Sequence, residues 1–391
     1  MSRLKVLVTG ASGFLGCRLV ERLLFGEKVE VRAMAHRPGR ASRLARLPVE
    51  IAWCDITDEA QVRDAVAGCD VVVHCAYGAT GGAGQNRSVT VDGTRVVAEA
   101  AAAAKVERFI HISSVAVHSY SPSPGVTEES VLEKYSDAYC RDKIDAEKAV
   151  QGVIASKGLK ATILRMGNIY GPFSGPWTLR PLAHIAEGKV ALVDDGSHDS
   201  NMVFVDNAVE AILLSIDCAQ AVGEVFFITD EILSWRELYG AYAQWLGDKP
   251  LESIKGDGLA EMLKPSKWRS FKEAMNEIGT VFLMPVIRFT VFRAANTKCL
   301  ASLATAIWRP VPQAWKRPFL GPEEKGQPCI PPPPSDGGGR LPPVGLLEVY
   351  NGRATFSNEK AKRLLGYGPR VSNAEALRIT AEWAKWARLI P

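Results

Sequence analysis

The stretch Leu4–Gly16, "LKVLVTGASGFLG", constrains the fold more than any other. An apolar, β-branched run, Lys5–Val8, passes into glycines at 10, 13 and 16, and an amphipathic stretch, Phe14–Leu24, follows. Between a strand and a helix, each glycine has a physical task. One permits a tight turn, another lets backbone approach a pyrophosphate, and the third lets helix and strand pack closely. The free N–H groups at the start of the helix then meet the phosphates. The motif predicts a dinucleotide site built from Gly10, Ser12, Gly13, Phe14, Leu15 and Gly16.

The alternation continues along the chain. Strand-like runs at Val29–Met34, Val71–Cys75, Phe109–Ser113 and Ala161–Arg165 are separated by helical stretches such as Glu59–Val66 and Thr94–Lys105. Apolar strands alternating with helices predict an α/β fold, a Rossmann-type doubly wound parallel sheet with helices on both faces. "DVVVHCA" and "RFIHISS" read as its central strands. A chain of 391 residues can hold one large domain or two. The expected division is a nucleotide-binding core over 1–165, a mixed core and substrate region over 166–254, an insertion over 255–343, and C-terminal substrate-region helices over 344–391.

Composition narrows the class. With 47% hydrophobic and 23% charged residues this is a soluble globular chain. Net charge is only +4, and the basic residues are scattered apart from Arg32, Arg37, Arg40, Arg43 and Arg46, which argues against a nucleic-acid surface. Eight irregularly spaced cysteines without a Cys-x-x-Cys pair imply neither a zinc site nor a disulfide framework. Reduced thiols and an N-terminus, "MSRLKVLVTG", with no apolar signal region lead to a cytoplasmic expectation.

The second strand sets the cofactor. Sites that take NAD place an acid at its end to bind the ribose 2′-hydroxyl. Here "EVRAMAHRPGR" has Ala35 near that position, followed by His36, Arg37 and Arg40. Arg37 favours a 2′-phosphate, so NADP(H) is preferred and NAD(H) is the alternative. Arginines that simply face solvent would give the same pattern. Asp55, after the third strand, could hydrogen-bond the adenine or cap the next helix.

In "SDAYCRDKIDAEKA", Tyr139 and Lys143 are four residues apart, which puts both on one face of a helix. Alone the pair means little. Together with the glycine motif, "HISSVAVHSY", "LRMGNIYGP", "FVDNAVEAI" and "SNEKAKRLLGYGPRVSNAEAL", the chain resembles the extended short-chain dehydrogenase/reductase family, also called the NAD-dependent epimerase/dehydratase family. The resemblance covers roughly residues 4–255 and 344–388. It implies catalysis by Ser114, Tyr139 and Lys143. Tyr139 exchanges a proton with the substrate oxygen, Ser114 hydrogen-bonds that oxygen, and Lys143 favours the phenolate and holds the nicotinamide ribose. Further cofactor contacts are expected from Ile56, Cys75, Ala76, Met166 and Asn168, and substrate contacts from Tyr77 and His118.

The chain also departs from the family pattern. His118 stands where a tyrosine is common, to line the substrate site or to serve as a loop residue, and Thr90 replaces an asparagine, which alters neighbouring hydrogen bonds. Cys140 reads as packing, and "GATGGAGQ" (78–85) as a loop that covers substrate or merely lies at the surface. Where sugar-nucleotide members carry a diphosphate-binding arginine, Ser200 and Asn201 stand instead. The insertion holds greasy runs broken by Pro285, Arg288, Arg293 and Lys298, then the linker "IPPPPSDGGGRLPP". Its Lys255–Trp315 part is expected to form an apolar substrate entrance with peripheral membrane contact; an ordinary buried extension or an oligomer surface is the competing reading. A similar insertion occurs in the 3β-hydroxysteroid dehydrogenase-like branch. The expected function is an NADP(H)-dependent oxidoreductase that interconverts alcohol and ketone on a hydrophobic, sterol- or lipid-like substrate, acting as a homodimer. A nucleotide-sugar epimerase, dehydratase or reductase is the alternative. Intact Ser114, Tyr139 and Lys143 argue against a non-catalytic scaffold.

Overall fold

The computed structural model describes residues 3–26, 29–79, 81–118, 125–132, 137–189, 191–256 and 344–391. The chain divides into two units, and all of these residues lie in the first, 1–256 with 336–391. The expected entrance and membrane contact of the insertion fall, but for Lys255 and Gly256, outside the described residues.

Strands that are apolar on both faces pair in parallel at the centre. They are β1 (Leu4–Thr9), β2 (Val29–Ala35), β3 (Glu50–Trp53), β4 (Val71–His74), β5 (Arg108–Ser114), β6 (Ala161–Met166) and, after three short strands, β10 (Val225–Ile228). The order across the sheet is β3-β2-β1-β4-β5-β6-β10, and every pairing is parallel. All four residues of β4 are buried, as a strand covered on both faces requires. The order reverses between β1 and β4, and ligands of doubly wound sheets bind at the carboxyl ends of the strands flanking that point.

Helices cover both faces. One layer contains α1 (Phe14–Phe25) against α7 (Val205–Asp217). The other contains α2 (Glu59–Val66), α4 (Gly93–Ala103) and α5 (Ala138–Lys157), packed side by side. A bidentate pair ties α1 to α7: Arg18 Nε and Nη2 donate to Asp206 Oδ1 and Oδ2 at 2.6 and 3.0 Å.

Two local expectations are corrected. The glycine-rich stretch after β4 is not loop throughout. A short helix, α3 (Ala83–Arg87), begins within it and runs through a π-helical turn, Ser88–Asp92, into α4. Arg87 anchors it by reaching Asp142 and Asp145 of α5, both at 2.8 Å, a long-range tie that outweighs glycine's poor propensity. The N-cap of α2 is Asp58, which accepts from the Ala60 and Gln61 N–H groups; Asp55 does not cap it.

Two small parallel sheets flank the carboxyl end of the main one: β7 (Asn168–Tyr170) pairs with β9 (Met202–Phe204), and β8 (Ala191–Val193) with β11 (Glu252–Ile254). The C-terminal segment docks there. Asn201 Nδ2 donates to the Ala354 carbonyl at 2.7 Å and its Oδ1 accepts the Phe356 N–H at 3.0 Å. Asn358 Nδ2 donates to the Thr229 carbonyl at 2.7 Å. The segment carries α9 (Val344–Tyr350), α10 (Glu359–Leu365) and α11 (Asn373–Trp386).

A buried ion pair fixes α5 on the sheet. Glu147 is fully buried, Arg165 of β6 is 3% exposed, and their Oε2–Nη2 distance is 2.8 Å. Ser113 of β5 donates to the same carboxylate. Glu147→Ala leaves a buried guanidinium without its counter-charge and should cost about 3–5 kcal/mol. Adding Arg165→Met should recover part of that loss. Urea unfolding followed by circular dichroism measures both, and strictly additive losses would show that the two side chains are not coupled.

Candidate active site

The site forms where β1, β4, β5 and β6 end. After β1 the chain turns at Gly10, whose φ of +64° lies in the left-handed region. A Cβ at Gly10 would come within 2.8 Å of Ala76 backbone, just past β4, and one at Gly16 within 2.4 Å of the Gly10 carbonyl. The two glycines therefore let strand end, turn and helix meet at backbone contact. Gly13 is the N-cap of α1 and offers no side-chain cap, so the first N–H groups of the helix, at Phe14, Leu15 and Gly16, are directed at the crevice between β1 and β4. A side chain would fill this cradle and a pyrophosphate fits it. Ser12 lies in the same turn, half-buried.

At the end of β2, His36 and Arg37 are exposed. Asp55 Oδ1 accepts from the Thr57 N–H at 3.0 Å and its hydroxyl at 2.7 Å, which, with burial opposing, holds its carboxyl below the usual range. Its Oδ2 stands 4.0 Å from His36 Nδ1. Ile56 is buried against Gly93. Cys75 and Ala76 follow β4, half-buried; burial pushes the Cys75 thiol up to about 12, which makes it inert. Met166 ends β6 in the core, and Asn168 donates through its side-chain amide to the Ser200 carbonyl at 2.9 Å.

The catalytic candidates come together. Asp137 caps α5 by accepting from the Tyr139 and Cys140 N–H groups, both at 3.3 Å, which pins Tyr139 in the first turn. Ser114 ends β5 opposite Met166 of β6. Its hydroxyl meets the Tyr139 phenol, a hydrogen bond that favours the phenolate. Burial acts in the opposite direction and is the larger effect, so the phenol is held above its ordinary value. One turn on, Lys143 is 5% exposed and donates from Nζ to the Ile112 carbonyl at 2.9 Å. Burial lowers its ammonium to about 8. That ammonium lies 5.3 Å from the centre of the Tyr77 ring, and Tyr77 in turn meets Tyr139 edge-on at 6.1 Å. Tyr77 is 44% exposed and Tyr139 39%, so the open side of the pair faces solvent. The Thr90 hydroxyl accepts the Gly78 N–H at 3.0 Å and so holds the backbone next to Tyr77.

His118 does not join them. It is 4% exposed, packs on Phe227 and Phe356, and meets Arg165 Nη1 at 2.8 Å through Nε2. Burial and the Arg165 charge lower it to about 4, so a neutral ring in the core replaces the expected substrate contact. Cys140 is buried, as expected of packing.

Sequence reasoning missed the far wall. Next to Ser114 a small pocket is lined by Val115, Asn168, Asp199, Trp235, Val349 and Phe356, among others. Trp235 packs on Tyr350 with the rings tilted, their centres 4.7 Å apart, and the Tyr239 hydroxyl donates to the Tyr350 hydroxyl at 2.8 Å. Ser200 is spent on the Leu233 carbonyl and Asn201 on the C-terminal segment. Nothing local in the sequence marks these residues as neighbours, because the wall is gathered from segments up to about 240 residues apart.

The model of the NAD dependent epimerase/dehydratase family matches residues 6–228. A 4-hydroxy-2-methyl-3-oxo-4-farnesyl-3,4-dihydroquinoline-1-oxide ketoreductase of Stigmatella aurantiaca is 26% identical over 381 residues, 96% of this chain and 95% of its own. A 3-beta-hydroxysteroid dehydrogenase of Mycolicibacterium neoaurum is 28% identical over 291 residues, 70% of this chain and 79% of its own. Among solved structures, the dTDP-glucose 4,6-dehydratase DesIV of Streptomyces venezuelae, with NAD and TYD bound, aligns with a TM-score of 0.67 at 21% identity, over 98% of both chains. That likeness is one of fold. Cofactor cradle, tyrosine–lysine helix and family match together identify the chain as a member of the NAD-dependent epimerase/dehydratase family, and an enzyme of the extended short-chain dehydrogenase/reductase type.

Proposed function

We propose that the protein interconverts an alcohol and a ketone on a hydrophobic substrate, using NADP(H), with Tyr139 as general acid and base. The observation that carries this reading is the packing of Ser114, Tyr139 and Lys143 at the ends of β5 and α5 beside an aromatic wall. A nicotinamide cofactor bound along the glycine turn supplies or accepts the hydride. Tyr139 gives its phenolic proton to the carbonyl oxygen in reduction and takes it back in oxidation. Ser114 donates to the same oxygen and orients it. Lys143, charged and desolvated, favours the phenolate as the proton leaves and offers N–H donors to a ribose.

The hydrophobic reading is supported by what lines the pocket. Val115, Trp235, Val349, Ala354 and Phe356 make half of its lining, and of the polar residues there Ser200 and Asn201, in the stretch where a diphosphate-binding arginine would stand, are spent on the Leu233 carbonyl and on the C-terminal segment. The farnesylated-quinoline ketoreductase and the steroid dehydrogenase among the relatives act, by their names, on molecules of that kind. Preference for NADP(H) is supported by Arg37. In its cluster Arg32 is tied to Glu50 and Arg43 to Glu21, whereas Arg37 is exposed and makes no ion pair among the described residues.

Three outcomes are expected. Tyr139→Phe should keep fold and cofactor binding but lower turnover by about 10²–10⁴-fold on a reducible ketone, read as NADPH absorbance; near-normal turnover would remove the phenol from the proton path. Arg37→Ala should weaken NADPH binding by about 1.5–3 kcal/mol, and an unchanged dissociation constant would assign the 2′-phosphate elsewhere. The third concerns Lys143. Its ammonium is depressed to about 8 in the fold, against 10.5 when free, so the folded state binds fewer protons between those values. Wild-type stability from this group therefore rises with pH across that window. The stabilisation of Lys143→Met relative to wild type should be larger at pH 7 than at pH 10, by about 1–3 kcal/mol in thermal unfolding. A difference that stays flat with pH would mean the ammonium is not depressed.

A further inference from the structure

Tyr77 follows β4, and the backbone beside it is tied to the catalytic helix. Gly78 donates its N–H to the Thr90 hydroxyl at 3.0 Å, and a Cβ at Gly78 would lie 2.3 Å from the Asn86 carbonyl oxygen. The chain after Tyr77 is therefore packed backbone to backbone on α3. The next residue of α3, Arg87, reaches Asp142 and Asp145 of α5, both at 2.8 Å. The Tyr77 side chain returns to that same helix. Its ring meets Tyr139 edge-on at 6.1 Å, and its centre lies 5.3 Å from the Lys143 ammonium. Tyr77, α3, Arg87 and α5 thus form a closed loop of contacts that takes in both Tyr139 and Lys143.

The ring sits where the ammonium has little else. Lys143 is 5% exposed and donates to the Ile112 carbonyl. Glu147, one turn on, is spent on Arg165 and Ser113. An aromatic face attracts a cation through its quadrupole, yet leaves the charge in place and the N–H groups able to bind a ribose. A carboxylate there would pair with the ammonium and cancel the field that favours the phenolate. The rings of the aromatic wall pack among themselves. Trp235 and Tyr239, on α8 (Trp235–Trp245) beside α6 (Arg180–Ala186), meet at 5.5 Å, and Trp235 meets Tyr350 at 4.7 Å. Among the described residues, Tyr77 is the ring within cation–π range of Lys143.

We propose that Tyr77 is a positioning residue for proton transfer: its ring braces the Lys143 ammonium and the Tyr139 phenol against each other, while its backbone is held to their helix through Arg87. This rests on the oxidoreductase reading above. The other titratable groups around Lys143 keep their charge state at neutral to basic pH. His74 of β4 and His111 of β5 are held neutral by burial, and Cys75 stays a thiol. Glu147 is paired with Arg165, and Asp142 and Asp145 with Arg87. Burial pushes the Tyr77 and Tyr139 phenols up. Between about pH 7 and 10 the charge that changes is that of Lys143.

The test uses the full chain, and its first arm needs no turnover. Tyr77→Leu, Lys143→Met and the double variant are compared in urea unfolding. At pH 7 the cycle should show a favourable coupling of about threefold to thirtyfold in the unfolding equilibrium constant; at pH 10, where the ammonium has lost its proton, the coupling should vanish. Tyr77→Phe keeps the ring, and in its background Lys143→Met should cost what it costs in wild type. The second arm follows reduction of 2-decanone by NADPH, whose nicotinamide ring is neutral. Wild-type kcat should fall above about pH 8 as Lys143 loses its proton. Tyr77→Leu should move that limb down by about one pH unit, and Tyr77→Phe should bring it back. A residue that only packs would lower kcat in Tyr77→Leu without moving the limb, and a substrate contact through the phenol hydroxyl would raise KM in Tyr77→Phe. Either result overturns the proposal, as does a coupling absent at pH 7 or unchanged at pH 10. If 2-decanone is not reduced while the pH-dependent coupling holds, the ketone-reducing reading fails and the bracing of Lys143 by Tyr77 stands.

Discussion

The site depends on a charge pair that takes no part in the chemistry. Glu147 and Arg165 are almost wholly removed from water and bound to each other through both carboxylate oxygens. Ser113 adds a hydrogen bond from β5, and Arg165 reaches on to the Glu128 carbonyl and the His118 ring. Such a pair need not add net stability over an apolar packing of equal volume. Its effect here is geometric. Any sliding or rotation of α5 would leave a buried charge unpaired, at a cost of several kcal/mol. Lys143 and Tyr139 lie one and two turns before Glu147 on that helix, so the clamp sets how far they project past the ends of β5 and β6.

With the helix fixed, burial tunes the site. Lys143 is placed where its charge is disfavoured, and its ammonium donates to the Ile112 carbonyl. Below it His74 is buried between the Thr9 and Thr94 hydroxyls, and burial lowers it to about 3, so it stays neutral and adds no competing charge. A lone ammonium in a low-dielectric setting acts strongly on whatever forms beside it. The same desolvation opposes folding, which is the usual conflict between an active site and the stability of its scaffold.

Much of this was legible in the sequence, and the limits have physical causes. Gly10, Gly13 and Gly16 announce the turn because their constraint is local. The parallel sheet follows from strands such as "VVVH" that are apolar at nearly every position, and the Tyr139–Lys143 pairing follows from helical spacing alone. The burial of His118, read as a substrate contact or a loop residue, was not legible, since its partners Arg165, Phe227 and Phe356 arrive from 47 to 238 residues away. The helix within "GATGGAGQ" was hidden by glycine's low propensity, and the Arg87 pairs with Asp142 and Asp145 that hold its end come from 55 and 58 residues away. Asp55 and Asp58 are both reasonable caps by composition. Which one serves is decided by where β3 ends, and element boundaries are weakly encoded in local pattern.

The character of the pocket beside Ser114 follows from which polar groups remain available after folding. In the stretch where a sugar-nucleotide member would carry a diphosphate-binding arginine, Ser200 is spent on the Leu233 carbonyl, and both ends of the Asn201 amide are committed to Ala354 and Phe356. Those two bonds bring the C-terminal segment onto the sheet, and the segment carries Phe356, Val349 and Tyr350 to the pocket and its wall. The Asn201 side chain thus acts twice: its own amide is consumed, and the tie it makes brings apolar surface to the pocket. Trp235, in the same lining, keeps a buried indole N–H without an acceptor among the described residues. Polar groups consumed by the fold are not offered to a ligand, so a molecule rich in hydroxyls would lose more water beside them than it regains in hydrogen bonds.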